Sequence, residues 1–446
     1  MVSRFMIETF GCQMNDLDSE KISANLRKKG MEPVDDPDLA DVVILNTCSV
    51  REKAVQKVYA RLGEIKKSKN KRPELIVAVV GCMAQLEPDK IFKKAPFVNI
   101  IAGPQKGHRM DELITQTRLS NSPVVELRSD DDPNALEYGD FQRTCMWRAS
   151  VTISEGCNRQ CTFCVVPLTR GKERNRDSAS IIREIESLVS RGCVEIMLLG
   201  QTVNSYRDPY SDQVDFAALL KRIAEIKDLK RIRFMAPHPA YFSNELLDIM
   251  VSCPSICNHI HLPVQSGSDK ILRAMRRGYT RAQYMELIGK IRRAERRIAI
   301  STDIIVGFPG ESEKDFEDTL SLIDEVKYDN AFSFKYSPRP NTVASALNDE
   351  IPDEEKGRRL EILQQRQKVI QYHKNAAYLG QKVEVLVEGK ARSRVQLSGR
   401  TTDNKIVNFD GPLSLVGNFA WVQITGFSSN SLRGTLIAHD QNQKAE

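Results

Sequence analysis

The chain has no apolar run long enough to cross a bilayer. Its longest, residues 75–80 before Gly81, falls far short of the ~20 residues a spanning helix needs. It also has no leader-like start, because Arg4 and Glu8 interrupt the short stretch 1–10. These absences argue against a membrane partner and predict a cytoplasmic protein. There thiols stay reduced, and cysteines read as metal ligands or catalysts instead of disulfides. A strong charge of one sign is missing too. Lys and Arg total 65 against 59 Asp and Glu, and the resulting +6 leans only weakly toward an anionic partner such as nucleic acid. The hydrophobic (41%) and charged (28%) fractions are ordinary for a globular protein, and 446 residues predict about three domains.

The last shortage is local. Residues 156–164 read GCNRQCTFC and place Cys157, Cys161 and Cys164 in a Cys-x3-Cys-x2-Cys spacing. No fourth Cys or His stands near, since His238, His259 and His261 lie far off in sequence. A structural zinc site wants four ligands. Three soft thiolates instead suit three corners of an iron–sulfur cube, leaving one iron open to a substrate or cofactor. Three unlinked thiols, or a zinc site completed from afar, is the plainer alternative.

Around this triplet the chain divides into segments of different pattern. In residues 1–119, β-rich runs at 5–10, 41–46 and 75–80 alternate with helical patterns at 18–29 and 50–67, which predicts a parallel α/β domain. Each run is followed by a cysteine: Cys12, Cys48 and Cys82. They are too far apart for a local metal motif. The carboxyl ends of parallel strands share one edge, however, so the fold can gather them into a second trio. Buried structural cysteine is the competing reading. Residues 120–146, with the acidic turn 130–134, read as a linker. Residues 147–375 alternate again on a larger scale, with strands at 149–154, 195–200, 231–235, 259–262, 299–306 and 330–336. Helices are expected at 178–191, 216–226, 244–251, 281–293 and 313–326. Six such units suit a partial (β/α)6 barrel, with the cysteine triplet after its first strand. Residues 376–440 change class to short strands at 382–387, 394–397, 405–409, 419–425 and 432–438, which predicts a small antiparallel, OB-like β-barrel. There Lys390, Arg392, Arg394, Arg400 and Lys405 are candidate phosphate contacts, with a solvated face as the alternative.

The 156–164 motif resembles the cluster motif of the radical S-adenosylmethionine enzymes. The resemblance implies a 4Fe-4S cluster whose open iron chelates S-adenosylmethionine and whose electron cleaves it to a 5′-deoxyadenosyl radical. It also places Phe163 against the adenine. The stretches TFGCQMN (9–15), NTCSVRE (46–52), LGQTVNSY (199–206), HLPVQSGS (261–268) and DIIVGFPGE (303–311) resemble, in that order, the motifs of the methylthiotransferase family within this superfamily. That likeness implies a second, auxiliary 4Fe-4S cluster on Cys12, Cys48 and Cys82, a radical S-adenosylmethionine barrel, and a C-terminal RNA-binding TRAM domain. It further implies that S-adenosylmethionine is used twice per turnover.

Residues 46–53 (NTCSVREK) and 397–409 (LSGRTTDNKIVNF) are similar to the family members that add a methylthio group to carbon 2 of N6-isopentenyladenosine beside the tRNA anticodon. Members acting on threonylcarbamoyladenosine or on a ribosomal-protein aspartate are the alternatives, and Ala236 before Pro237-His238-Pro239 departs from a common Ser or Thr. The resemblance implies the anticodon stem-loop as partner, a reducing donor such as flavodoxin, and a monomer. Gln201, Gln265 and Asp303 fall near strand ends as candidate cofactor contacts. Cys145, Cys193, Cys253 and Cys257 have no strand-end pattern, and the basic run 292–297 reads as a solvated helix end as readily as an RNA contact.

Overall fold

The computed structural model describes residues 3–49, 52–120, 122–127, 141, 143–391 and 395–437. The protein is α/β, in three units along the chain. The first is a wholly parallel six-stranded sheet. Its strands run in the order Glu32–Pro33, Arg4–Phe10, Val42–Thr47, Ile76–Gly81, Ile100–Ala102 and Val124–Glu126. Alternate side chains of a strand face opposite sides, so this sheet has two separate cores. Val43, Leu45, Val77 and Val79 pack with Val58, Leu62 and Ile65 of helix Glu52–Lys71 on one face. Val42, Ile44, Ile76 and Ala78 pack with Ile22 and Leu26 of helix Gln13–Lys28 on the other.

Three of these strands are expected from the sequence; the other three are two or three residues long and too short to leave a periodic signal. The sheet also takes in Val124–Glu126, inside the stretch expected to be linker. Phe141 and Arg143, from that same stretch, are buried between the first two units. The acidic turn 130–134 lies outside the described residues.

The second unit is a six-stranded partial barrel in two parallel halves: Arg148–Thr152, Glu195–Leu199 and Arg231–Phe234, then His259–His261, Ala299–Val306 and Asn330–Lys335. A parallel bridge between Ile232 and Ile256 joins the halves. Ile196, Leu198, Ile232, Phe234, Ile300 and Ile304 turn outward into the core beneath the surrounding helices. The third unit is a closed five-stranded barrel, Lys382–Lys390, Leu397–Arg400, Ile406–Asp410, Phe419–Phe427 and Leu432–Leu436. All of its pairings are antiparallel except that of Ile406–Asp410 with Leu432–Leu436, which is parallel and closes the barrel. Its second strand begins at Leu397, not at 394 as the sequence suggests; Arg392 and Arg394 lie outside the described residues.

A long helix, Asp353–Ala376, connects the last two units and is not apparent as a helix in the sequence. Its buried residues are mostly polar, among them Lys356, Arg359, Gln367 and Asn375, so the usual apolar stripe is missing. Among the described residues no helix is long and apolar enough to cross a membrane.

Candidate functional site

Register explains how the first three cysteines meet. Phe10 pairs with Thr47 and Thr47 with Gly81, so Cys12, Cys48 and Cys82 all leave the carboxyl edge of the first sheet. Two asparagines from the quoted motifs clasp this edge. Asn15 donates to Asn46 Oδ1 (3.1 Å) and to the Thr47 carbonyl (3.3 Å), and it accepts from the Cys12 backbone N–H (3.2 Å). Asn46 donates in return to the Asn15 carbonyl at 2.9 Å. Gly81 sits at φ +97°, and a Cβ there would lie 2.5 Å from the Thr47 carbonyl oxygen, so only glycine lets Cys82 approach Cys48.

The thiols feel one another. A hydrogen bond from Cys48, helped by the Arg170 guanidinium, brings the Cys12 thiol down to about 6 against the opposing effect of burial. Burial pushes Cys82 up. All three are free of disulfides.

The second trio lies in the loop after the barrel's first strand. Gly156 at φ +83° starts it; an added Cβ would fall 2.1 Å from the Lys172 carbonyl oxygen. The loop is pinned elsewhere by Thr162, whose N–H reaches the Met275 carbonyl at 3.1 Å and whose carbonyl accepts from Ala344 at 2.8 Å. Each sulfur accepts one N–H: Arg159 to Cys157 at 3.4 Å, Val166 to Cys164 at 3.5 Å, and the Arg277 guanidinium to Cys161 at 3.3 Å. Such donors stabilise a thiolate that is ligating a metal. In the free thiols burial dominates, raising Cys157 and taking Cys164 to about 12. Three soft sulfurs, each with an N–H donor and none in a disulfide, fit an iron–sulfur cluster. Among the described residues no three His, Cys, Asp or Glu side chains are gathered closely enough to hold a single metal ion.

The two trios are neighbours across the interface between units. Thr169, on the short helix Val166–Thr169 that follows Cys164, hydrogen-bonds the Cys82 thiol. Arg170 comes next, buried, with ion pairs to Asp18 of the first unit (2.7 Å) and Glu155 of the barrel (2.8 Å). Both trios also border the barrel interior. Cys12, Met197 and Met235 pack around one apolar cluster of Met14, Leu17, Phe141 and Leu199. Phe163 and Ile305 pack against another, made by Ile271, Met275, Phe308 and Tyr336. Met197 and Ile305 alternate along their strands with the outward core residues, so they face inward.

Gln201 accepts the Gly156 N–H at 2.5 Å and so braces the cluster loop. Asp303 is half-buried on the inner barrel face, 3.2 Å from His261 Nε2. Gln265, at φ +73°, exchanges backbone hydrogen bonds with Asp303 and Ile305.

Lys405 corrects the sequence reading. It is buried, with its ammonium 3.3 Å from Asp329 of the barrel, where it fastens the third unit to the second and is withheld from any RNA phosphate. Lys390 is exposed. Arg400 is partly exposed and ion-paired with Glu388 at 3.3 Å. Sequence reasoning missed Arg277 and Arg170, which carry no spacing signal. Asn15 and Asn46 stood inside quoted motifs but without an assigned role.

Comparison with known proteins matches residues 4–103 to the uncharacterized protein family UPF0004, 151–323 to the radical SAM superfamily and 376–437 to the TRAM domain. Over 438 residues the chain is 48% identical to a tRNA-2-methylthio-N(6)-dimethylallyladenosine synthase of Solibacter usitatus, covering 97% of this chain and 98% of that protein. It is 45% identical over 441 residues to the synthase of the same name from Legionella pneumophila, covering 98% of both. Among solved structures it is similar in fold to the radical S-adenosylmethionine methyltransferase TsrM of Kitasatospora setae. That likeness has a TM-score of 0.57 at 16% identity and covers 77% of this chain and 75% of the other.

Proposed function

The chain belongs to the family of tRNA-2-methylthio-N(6)-dimethylallyladenosine synthases, and we propose on that basis that it adds a methylthio group to carbon 2 of N6-isopentenyladenosine beside the tRNA anticodon. The relatives' names favour this substrate over a threonylcarbamoylated adenosine or a ribosomal-protein aspartate. In this reading Cys157, Cys161 and Cys164 hold one 4Fe-4S cluster, and Cys12, Cys48 and Cys82 hold the second. Bound there, the clusters and two equivalents of S-adenosylmethionine supply the one-electron and methyl-transfer chemistry that no amino-acid side chain can provide.

The chain's own part is placement. The Arg159 and Val166 amides and the Arg277 guanidinium hold the barrel sulfurs by hydrogen bonds. Arg170 keeps a fixed positive charge beside Cys12 and Cys82. In this reading Gln265 and Asp303 contact the S-adenosylmethionine and Phe163 flanks its adenine, while Gln201, which accepts the Gly156 N–H, acts through the cluster loop. Met197 and Met235 give the inner wall an apolar stretch beside Cys12. Lys390 and Arg400 are the described candidates for contacts to the stem-loop backbone. A reducing partner such as flavodoxin, a monomeric state and a cytoplasmic location complete the proposal, with domain limits near 119, 146 and 375 along the chain.

One observation carries the reading: two thiol trios, on different units, abut one barrel interior. The test is nucleoside analysis of isopentenylated tRNA before and after incubation with the anaerobically reconstituted protein, S-adenosylmethionine and a reductant. A 2-methylthio nucleoside is expected; its absence with active clusters present would overturn the assignment.

A further inference from the structure

The inner face of the barrel's last strand, Asn330–Lys335, is unlike that of the other five barrel strands. Large apolar side chains are otherwise mostly covered in this barrel, yet Phe332 is 43% exposed and Phe334 36% exposed. Register shows where they point. Asp303 pairs with Phe332 and Ile305 with Phe334, and paired residues share a face of the sheet. The intervening Ile304 and Val306 belong to the core beneath the outer helices, so both rings look into the barrel. The ring of Phe332 lies edge-on to His261, 5.8 Å between centroids, and His261 in turn meets the Asp303 carboxylate. On the outer side of the same strand Ser333 meets Gln364 of the connecting helix. The strand pairs with a neighbour on one side only and therefore forms the open lateral edge of the six-stranded barrel.

Two uncovered aromatic rings at an open edge, beside the wall that both thiol trios border, suit a flat base carrying an apolar branch. Purine rings stack on aromatic side chains irrespective of hydrogen-bonding pattern. A five-carbon alkenyl tail gains by leaving water against apolar surface. The Asp303 carboxylate beside Phe332 is, in contrast, a poor neighbour for an N6 substituent ending in a carboxylate. We propose that Phe332 and Phe334 form the subsite that receives the N6-isopentenyl adenine, stacking the base and covering its tail, and that they set the preference for an apolar N6 substituent. This rests on the substrate assignment above and names the residues that read it.

The test compares binding of two synthetic anticodon stem-loops, identical except that one carries N6-isopentenyladenosine and the other adenosine, to the full-length, cluster-loaded protein. The wild type should prefer the isopentenylated RNA. In the double variant Phe332→Ala, Phe334→Ala both RNAs lose the stack, and the preference should fall in addition by about tenfold, the scale of returning about two carbons of the tail to water. In Phe332→Leu, Phe334→Leu, which keeps apolar cover for the tail, most of the preference should return. The subsite is refuted if the alanine variant keeps the wild-type preference, if it weakens both RNAs equally, or if it weakens only S-adenosylmethionine binding. A wild type without any preference would instead bring down the substrate assignment itself, and this inference with it.

Discussion

Six sulfur atoms set the chemistry at the scale of single residues, and a few polar side chains hold them. Replacing Cys157, Cys161 and Cys164 with Ala should lower iron from about eight to about four per chain and abolish 5′-deoxyadenosine formation. Replacing Cys12, Cys48 and Cys82 should remove the same amount of iron, leave that cleavage in place and stop methylthio product. Iron analysis and chromatography of both products check the pair, and methylthio product from the second variant would sink the auxiliary role. The triplet in the barrel was legible because three ligands fall within eight residues of sequence. The first trio was legible only through topology, since a strand and a crossover helix separate each member from the next. Arg170 and Arg277 were not legible. Each acts through partners distant in sequence, Asp18 and Glu155 for the one, Cys161 and Pro263 for the other. Removing either would leave buried partners uncompensated, which is how such residues matter.

At the scale of elements, glycine precedes Cys12, Cys82 and Cys157, and two of these three, Gly81 and Gly156, sit at positive φ with a carbonyl too near for a Cβ. Gly156→Ala would force a side chain into a positive-φ position with 2.1 Å between its Cβ and the Lys172 carbonyl oxygen. The loop must then shift. Barrel-cluster content should fall in that variant while the first cluster is retained, and electron paramagnetic resonance of the reduced protein can separate the two; unchanged loading of both would contradict the role given to Gly156. Elements with strong local signals matched expectation. The helix Glu313–Val326 and the strand Ala299–Val306 have the bounds the sequence suggests, and in the structure a Ser312–Asp315 capping box closes the start of the helix. The helix Asp353–Ala376 escaped notice because polar contacts anchor it: Arg359 to Glu311 at 2.8 Å, Lys356 to Asp349 at 2.5 Å and Gln367 to the Tyr328 carbonyl at 3.0 Å. Periodicity of apolar residues does not report such anchors.

The scale of the whole molecule is governed by how the third unit sits on the second. Arg231 reaches the Arg400 carbonyl at 2.7 Å, Arg233 reaches the Thr401 carbonyl at 2.8 Å, and Lys374 and Lys405 both approach Asp329, at 2.7 and 3.3 Å. Burial alone would raise the Asp329 carboxyl, but the two ammonium groups outweigh it and hold it below the ordinary carboxylate range. A depressed carboxylate contributes stability above its unfolded value and loses it as pH falls through the folded one. Docking of the small barrel should therefore hold at neutral pH and loosen below about pH 4, and Asp329→Asn should flatten that dependence. Trp147 lies against Gly417 across this junction, so its fluorescence can follow the transition; an unaltered acid profile in the variant would refute the role. The burial of Lys405 was invisible in sequence because its partner stands far away on another unit.

Arg231 and Arg233 spring from inward-facing positions of their strand, since Ile232 and Phe234 between them turn outward. Their carbonyl partners on the small barrel therefore act as a stopper at that end of the larger one. A vessel stoppered below is filled and emptied at its mouth and along its open lateral edge, where Phe332 and Phe334 stand. Finished and incoming RNA then compete for the same two rings, and turnover should answer to the affinity of the product as much as to the chemistry inside.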